Sequence, residues 1–145
     1  MLKIEFQNGR LSPQDEEVLI AGFTRHTAEQ AAPAYLKKRL NWLAYDDAKQ
    51  MMGVLTADLY WDWLYIDELW VDEKYRGTGL GKSLMGKAEE YAKINSCTGL
   101  WLWTQDWQAA GFYEHLGYEE FTRFPDLPKG HHRLGLRKFL LTNTK

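Results

Sequence analysis

Between the apolar run "WLYIDELWVDEK" and a stretch of helical periodicity, the chain carries "YRGTGLGKSLM", Tyr75 to Met85. Its glycines, Gly77, Gly79 and Gly81, fall at alternate positions. Glycine removes the side chain where a backbone must turn sharply or approach a ligand closely. Downstream, Leu80, Leu84, Met85, Ala88, Tyr91 and Ala92 recur at helical spacing. Lys82, Lys87, Glu89 and Glu90 take the other side, so the glycine turn opens an amphipathic helix. Free N–H groups and the helix dipole attract anions at such a start. Arg76 and Lys82 flank it with positive charge. A plain strand-to-helix turn needs one glycine; this composition points to a bound phosphate.

Spacing decides which phosphate. A nucleotide-triphosphate P-loop needs four residues between its first Gly and its Gly-Lys-Ser, and Gly77 and Gly81 have only three between them. Arg76 stands where that first Gly belongs, and the "LYIDE" strand precedes the loop instead of following it. The dinucleotide fingerprint G-x-G-x-x-G fails too, because this loop reads G-x-G-x-G with no acidic residue ending a later strand.

Around the loop the pattern alternates between strand and helix. "LKIEF" reads as a first short strand. Ser12 is the expected N-cap and Pro13 the first residue of a helix that brings Val18, Leu19, Gly22 and Phe23 near one face. "KRLNWLAYD" and "MMGVLTADLYWDW" are strands about a polar turn, and "LYIDELWVD" is a central strand covered on two sides. "LWLWT" is a buried strand, and "QAAGFYEHLGY" a compact helix ended by Gly117. "YEEFTRF" and "HHRLGLRKFLL" are the last strands. The order β-α-β-β-β-α-β-α-β-β, with a strand–loop–helix–strand unit inside, predicts a mixed α+β sheet containing a parallel crossover.

At 145 residues the chain is expected to form one domain spanning residues 1–145. With 45% hydrophobic and 26% charged residues its composition is ordinary for a folded domain, and a net charge of −2 gives no support to nucleic-acid binding. The lone Cys97 excludes an intrachain disulfide and a multi-cysteine zinc site, and no His/Cys/Asp cluster has metal-ligand spacing. No apolar run nears bilayer length and no signal-peptide core opens the chain, so a cytoplasmic protein that uses no membrane is expected.

"LWVDEKYRGTGLGKSLM" resembles the acetyl-CoA-binding motif of the GNAT superfamily of N-acetyltransferases, Arg/Gln-x-x-Gly-x-Gly/Ala after a Leu-x-Val strand, with Arg76, Gly79 and Gly81 filling it. "DWQAAGFYEHLGY" resembles the second signature of that family, through Ala109, Phe112, Tyr113, Gly117 and Tyr118; Asp106 stands where Asn is usual. The pair is more specific than either motif alone. The resemblance implies the GNAT fold: a central, mostly antiparallel mixed sheet of six to seven strands flanked by three to four helices. It implies transfer of an acetyl group from acetyl-CoA to a primary amine by direct attack, with CoA as product and no metal. A small cationic or aryl amine is the expected acceptor. A protein or peptide amine, and a non-catalytic acyl-CoA sensor on the same fold, are the alternatives. Family habit implies a homodimer.

Residue by residue, the resemblance assigns the pyrophosphate to Arg76, Gly77, Thr78, Gly79, Leu80, Gly81, Lys82 and Ser83. It assigns the pantetheine arm to the strand edge at Leu69, Trp70 and Val71, with Asp106, Ala109 and Phe112 completing the cofactor contacts. Tyr113 matches the general acid that protonates the departing thiolate, a role suited to a phenol of pKa about 10. The amine must lose a proton. Adjacent strand residues face opposite ways, so Asp67 and Glu68 are expected on different faces, with Tyr65, Asp67, Leu69 and Val71 sharing one. In the arylalkylamine acetyltransferase branch the positions matching Tyr65 and Asp67 carry the base histidines, which points to Asp67 acting directly or through water. "FPDLPKGHHRLGLRK" resembles a segment of glyphosate-acetyltransferase-like enzymes, in which His132 matches the base. The tryptophans of "YWDWLYIDELW" and "WLW" are read as core and packing, with alternation putting Trp61 and Trp63 on one face.

Overall fold

Ser12 accepts a 3.1 Å hydrogen bond from the Asp15 N–H and Pro13 opens helix α1, Pro13–Glu29, as the capping signal predicts. In this computed structural model, which describes residues 1–140, α1 belongs to the first of two compact units, Met1–Leu36. Within that unit Phe23 and Tyr35 stack at 6.4 Å. The expected strand over 2–6 does not form; those residues alternate as a strand does but pair with no other strand.

The second unit begins at Lys37 and contains every strand among the described residues. Strands β1 (Lys37–Tyr45), β2 (Met51–Tyr60) and β3 (Trp63–Val71) form an antiparallel meander. A single 3₁₀ turn, Glu73–Tyr75, leads to α2 (Leu80–Ile94), followed by β4 (Gly99–Gln105), α3 (Ala110–His115), β5 (Glu119–Pro125) and β6 (His132–Phe139). Leu141, which the sequence reading joins to the last strand, lies outside the described residues. The sheet order is β1-β2-β3-β4-β6-β5, and only β3 and β4 run parallel, joined by the α2 crossover. Among the described residues this makes six strands and three α-helices in a mixed, mostly antiparallel sheet. No helix among them is long and apolar enough to cross a membrane.

Alternation selects the buried face. Leu55, Ala57 and Leu59 of β2, Leu64 and Ile66 of β3, and Leu100 and Leu102 of β4 are buried against Leu84, Met85, Ala88 and Ala92 of α2. Gly53 lets the helix approach: a Cβ there would sit 2.9 Å from the Trp70 carbonyl oxygen and 3.2 Å from Leu80. Trp61 departs from expectation. β2 ends at Tyr60, and Trp61 and Asp62 form the turn to β3, with Trp61 at φ 48°. Asp62 then anchors the start of β4, accepting from the Thr98 N–H at 2.7 Å and the Thr98 hydroxyl at 2.9 Å. Trp61 therefore does not share a strand face with Trp63. Three of the four tryptophans of β3 and β4 pack as rings, Trp63 on Phe139 and Trp101 on Tyr65 and Trp103, whereas Trp70 is exposed and not core.

Beyond β4 the ladder to β6 continues through Asp106. Its N–H donates to the His132 carbonyl at 3.0 Å, while its carboxylate accepts from the His132 N–H at 2.8 Å and bonds the His131 ring at 3.0 Å. The His132 N–H first, and the His131 ring after it, hold this carboxyl below the usual carboxylate range.

Two outcomes follow from this packing. Gly53→Ala forces a methyl against backbone and should cost about 1–3 kcal/mol, seen as a lower urea midpoint at unchanged slope. A lowered folded-state pKa at Asp106 stabilises above the unfolded value and is lost as pH falls through the folded one. The difference in melting temperature between wild type and Asp106→Asn should thus be full above about pH 5 and shrink below about pH 4.

Candidate active site

The glycine loop takes the form its composition suggests. Asp72 caps the 3₁₀ turn through the Lys74 N–H at 2.9 Å. Gly77 and Gly79 then adopt left-handed φ values of 79° and 89°, which side-chain-bearing residues rarely occupy. Gly79 is the N-cap of α2 and offers no side chain, so no side-chain bond caps the first helical N–H groups, and no acid lies in the first turn. These amides are thus left for an anion. Gly81 has a different reason: a Cβ there would lie 3.3 Å from the Phe112 ring, so its absence lets α3 pack on the first turn of α2. The Arg76 Nε donates to the Val71 carbonyl at 3.1 Å, tying the loop to the end of β3.

β3 and β4 pair over only four positions, Trp63 with Gly99 to Ile66 with Leu102. Beyond them each strand continues without the other, leaving a gap at the carboxyl ends of the parallel pair. Two cavities occupy it. One, of about 420 Å³, is walled by Leu69, Trp70 and Val71 on the strand side. Arg76, Gly77, Gly79, Leu80, Gly81 and Lys82 wall it on the loop side, and Ala109, Phe112 and Tyr113 close it from α3. Of the residues assigned to the cofactor, Thr78 and Ser83 do not line it; the Thr78 hydroxyl turns back to the Tyr75 carbonyl. Asp106 does not line it either, being bound to His131 and His132. Tyr75 lines the cavity without having been singled out.

The second cavity, of about 310 Å³, shares Leu69, Ala109 and Tyr113 with the first and adds Asp67, Glu68, Trp103, Thr104 and Gln108. Tyr113 is therefore common to both. Burial raises its phenol pKa. Asp67 and Glu68 do line one cavity, contrary to the alternation argument, and a β-bulge is the reason. Thr56 pairs with Glu68 but its neighbour Ala57 pairs with Ile66, so Asp67 is an extra residue with no partner across the ladder. The bulge flips the pleat. Leu64 and Ile66 face the core before it, and Leu69 and Val71 pack on the core after it, so Tyr65 does not share a face with Leu69 and Val71.

The bulged carboxylates meet a cation that the sequence reading missed. Arg39 Nη1 bonds Asp67 Oδ2 at 2.9 Å and Asp58 Oδ2 at 3.1 Å, and its Nη2 lies 3.6 Å from Glu68 Oε1. Thr56 Oγ1 donates to Glu68 Oε1 at 2.9 Å. Arg39 lies 28 residues from Asp67, and only the strand register brings them together. His132, the other base candidate, lines neither cavity; its Nδ1 is buried and bonded to nothing among the described residues, and its main chain is engaged by Asp106.

The acetyltransferase (GNAT) family pattern matches residues 10–118. A blasticidin-S acetyltransferase of Streptomyces morookaense is 42% identical over 82 residues, covering 56% of this chain and 60% of that protein. The match thus spans less than two thirds of that relative. The crystal structure of an acetyltransferase from Bacillus cereus superposes with a TM-score of 0.76 at 26% identity, over 94% of this chain and 98% of that one. An aminoglycoside 6'-N-acetyltransferase complexed with coenzyme A shares the fold, with a TM-score of 0.66 at 16% identity over all of both chains. With a matched family pattern, its two signatures on one gap in the sheet and this fold, the chain belongs to the GNAT family of acetyltransferases.

Proposed function

We propose that the chain moves an acetyl group from acetyl-CoA to the primary amine of a small cationic molecule. The observation that carries this reading is that Tyr113 joins two cavities, one at an uncapped glycine-cradled helix start and one lined by carboxylates. The residues present suit coenzyme A. Its pyrophosphate fits the α2 amides with Arg76 and Lys82, and its amide-bearing arm fits the main chain of Leu69 to Val71 where β3 runs unpaired with β4.

When bound, acetyl-CoA supplies a thioester carbon open to attack by nitrogen. The amine nitrogen forms the new C–N bond and the C–S bond breaks. Tyr113 gives its phenolic proton to the departing sulfur, and its burial keeps that proton in place until charge develops there. Asp67 takes the proton that the attacking nitrogen sheds, directly or through one water. An N–H of the Leu69–Val71 main chain is suited to the carbonyl oxygen as it gains charge. Asp67, Glu68 and the Trp103 ring beside them favour an amine that is also a cation, and the relative named for blasticidin-S supports a small molecule over a protein.

The test is acetyl-CoA with blasticidin-S, spermidine, L-lysine and tryptamine, reading free thiol. Release of CoA with at least one amine is expected. No thiol release with any of them, together with no calorimetric binding of acetyl-CoA, would overturn the reading. Tyr113→Phe should lower turnover by roughly 10²-fold or more while acetyl-CoA affinity holds, whereas a non-catalytic acyl-CoA sensor would show no turnover to lose.

A further inference from the structure

Asp67 carries the acceptor side of the proposed reaction, yet it is the residue of β3 that the sheet controls least. As the extra residue of a bulge it has no cross-strand partner, and the flip of pleat around it leaves its side chain without a direction set by alternation. Something else must aim it.

Arg39 is built to do so. Its guanidinium is anchored by Asp58, which lies directly opposite it across the β1–β2 ladder and whose side chain is only 12% exposed. From that anchor the same Nη1 reaches over β2 to Asp67 Oδ2 at 2.9 Å. The hydrogen bond to Asp67 is the largest influence raising the guanidinium pKa, so the tether stays charged. One oxygen of Asp67 is thereby fixed, and its Oδ1 carries no bond among the described residues. The adjoining Glu68 is held in the same way through Oε1, by the Thr56 hydroxyl with Arg39 Nη2 nearby. The Arg39 side chain is 44% exposed, and exposed ion pairs contribute little to stability, so orientation is what this contact supplies. Arg39 lines neither cavity and so touches no reacting atom.

We infer that Arg39 is a positioning residue for the acetyl transfer, holding the bulged Asp67 by Oδ2 so that its Oδ1 meets the acceptor amine. This rests on the acetyltransferase reading and on Asp67 as proton acceptor within it. Without the tether the Asp67 side chain samples other rotamers, and reacting geometry is lost while the cofactor cavity stays intact.

Steady-state kinetics with the fastest of the four amines named above, alongside calorimetry with acetyl-CoA, separates the two ideas. Arg39→Ala should lower kcat on the order of tenfold or more, with acetyl-CoA affinity within about twofold of wild type. Arg39→Lys, which keeps a charge but not the fork, should recover part of that loss. In an Asp67→Asn background, Arg39→Ala should change kcat by less than about twofold, because the two residues act as one unit. Unchanged kinetics in Arg39→Ala, or an equal loss in both backgrounds, overturns the inference while leaving acetyl transfer standing. If Arg39→Ala is too unstable to assay, the lysine variant decides: a lowered kcat at wild-type melting temperature and acetyl-CoA affinity supports positioning, whereas wild-type kcat, or a lowered melting temperature with an equal fall in acetyl-CoA affinity, overturns it. Absence of thiol release by the wild type with every amine, together with no calorimetric binding of acetyl-CoA, overturns the underlying reading, and this inference with it.

Discussion

The site depends on a parallel pairing that stops early. β3 and β4 share four positions and then separate, and the separation exposes main chain at the carboxyl ends of both strands in an otherwise continuous sheet. Main chain exposed in this way is free to take a partner, and unpaired N–H and C=O groups become costly once a ligand shuts them away from water. The chain meets part of the demand itself, where Arg76 donates to the Val71 carbonyl. An extended, amide-bearing ligand is suited to the rest, acting as a strand between strands. The α2 crossover that makes the pair parallel also brings its own uncapped N-terminus to the mouth of the gap. Topology thus sets the uncapped helix start and the strand edge left unpaired with β4 side by side.

The bulge at Asp67 is the second consequence of the same place in the sheet. Bulges gather where pairing ends, and this one falls at the residue after the last β3–β4 pair, Ile66 with Leu102. It reverses which side chains of β3 face the core, so Leu69 and Val71 pack inward while Glu68 turns the other way with Thr56. The result is a strand whose first half builds core and whose second half builds a wall for two cavities.

Local patterns made much of this legible from residues alone. Ser12 and Pro13 announce α1, the 3.6-residue repeat from Leu80 to Ala92 announces α2, and two glycines before it mark a left-handed turn. Each signal acts within a few residues of the feature it predicts. What stayed hidden depends on distance along the chain. The bulge exists only against β2, so strict alternation separated Asp67 from Glu68. Arg39 meets Asp67 through register alone. The 2–6 segment alternates like a strand, but alternation cannot supply a partner. Trp61 read as strand because aromatic residues favour strands, and the turn it occupies is set by the Tyr60–Trp63 pairing that closes the hairpin.

Asp106 differs from the related signature in the hydrogen bonds it can make. The related signature carries Asn there, whose side chain both donates and accepts hydrogen bonds; an ionised carboxylate only accepts. In this chain the acceptor is used by the His132 N–H and the His131 ring, and both bonds tie the residue to β6; it does not line the glycine-loop cavity. The lowered pKa of its carboxyl follows from those donors and keeps it ionised over the range in which an amine-acetylating site would work. In this chain the position is a stitch between β4 and β6, the two strands that carry Trp103 and Arg133. Arg133 lies 5.9 Å from the Trp103 ring, a contact between facing strands that steadies the aromatic wall of the carboxylate-lined cavity.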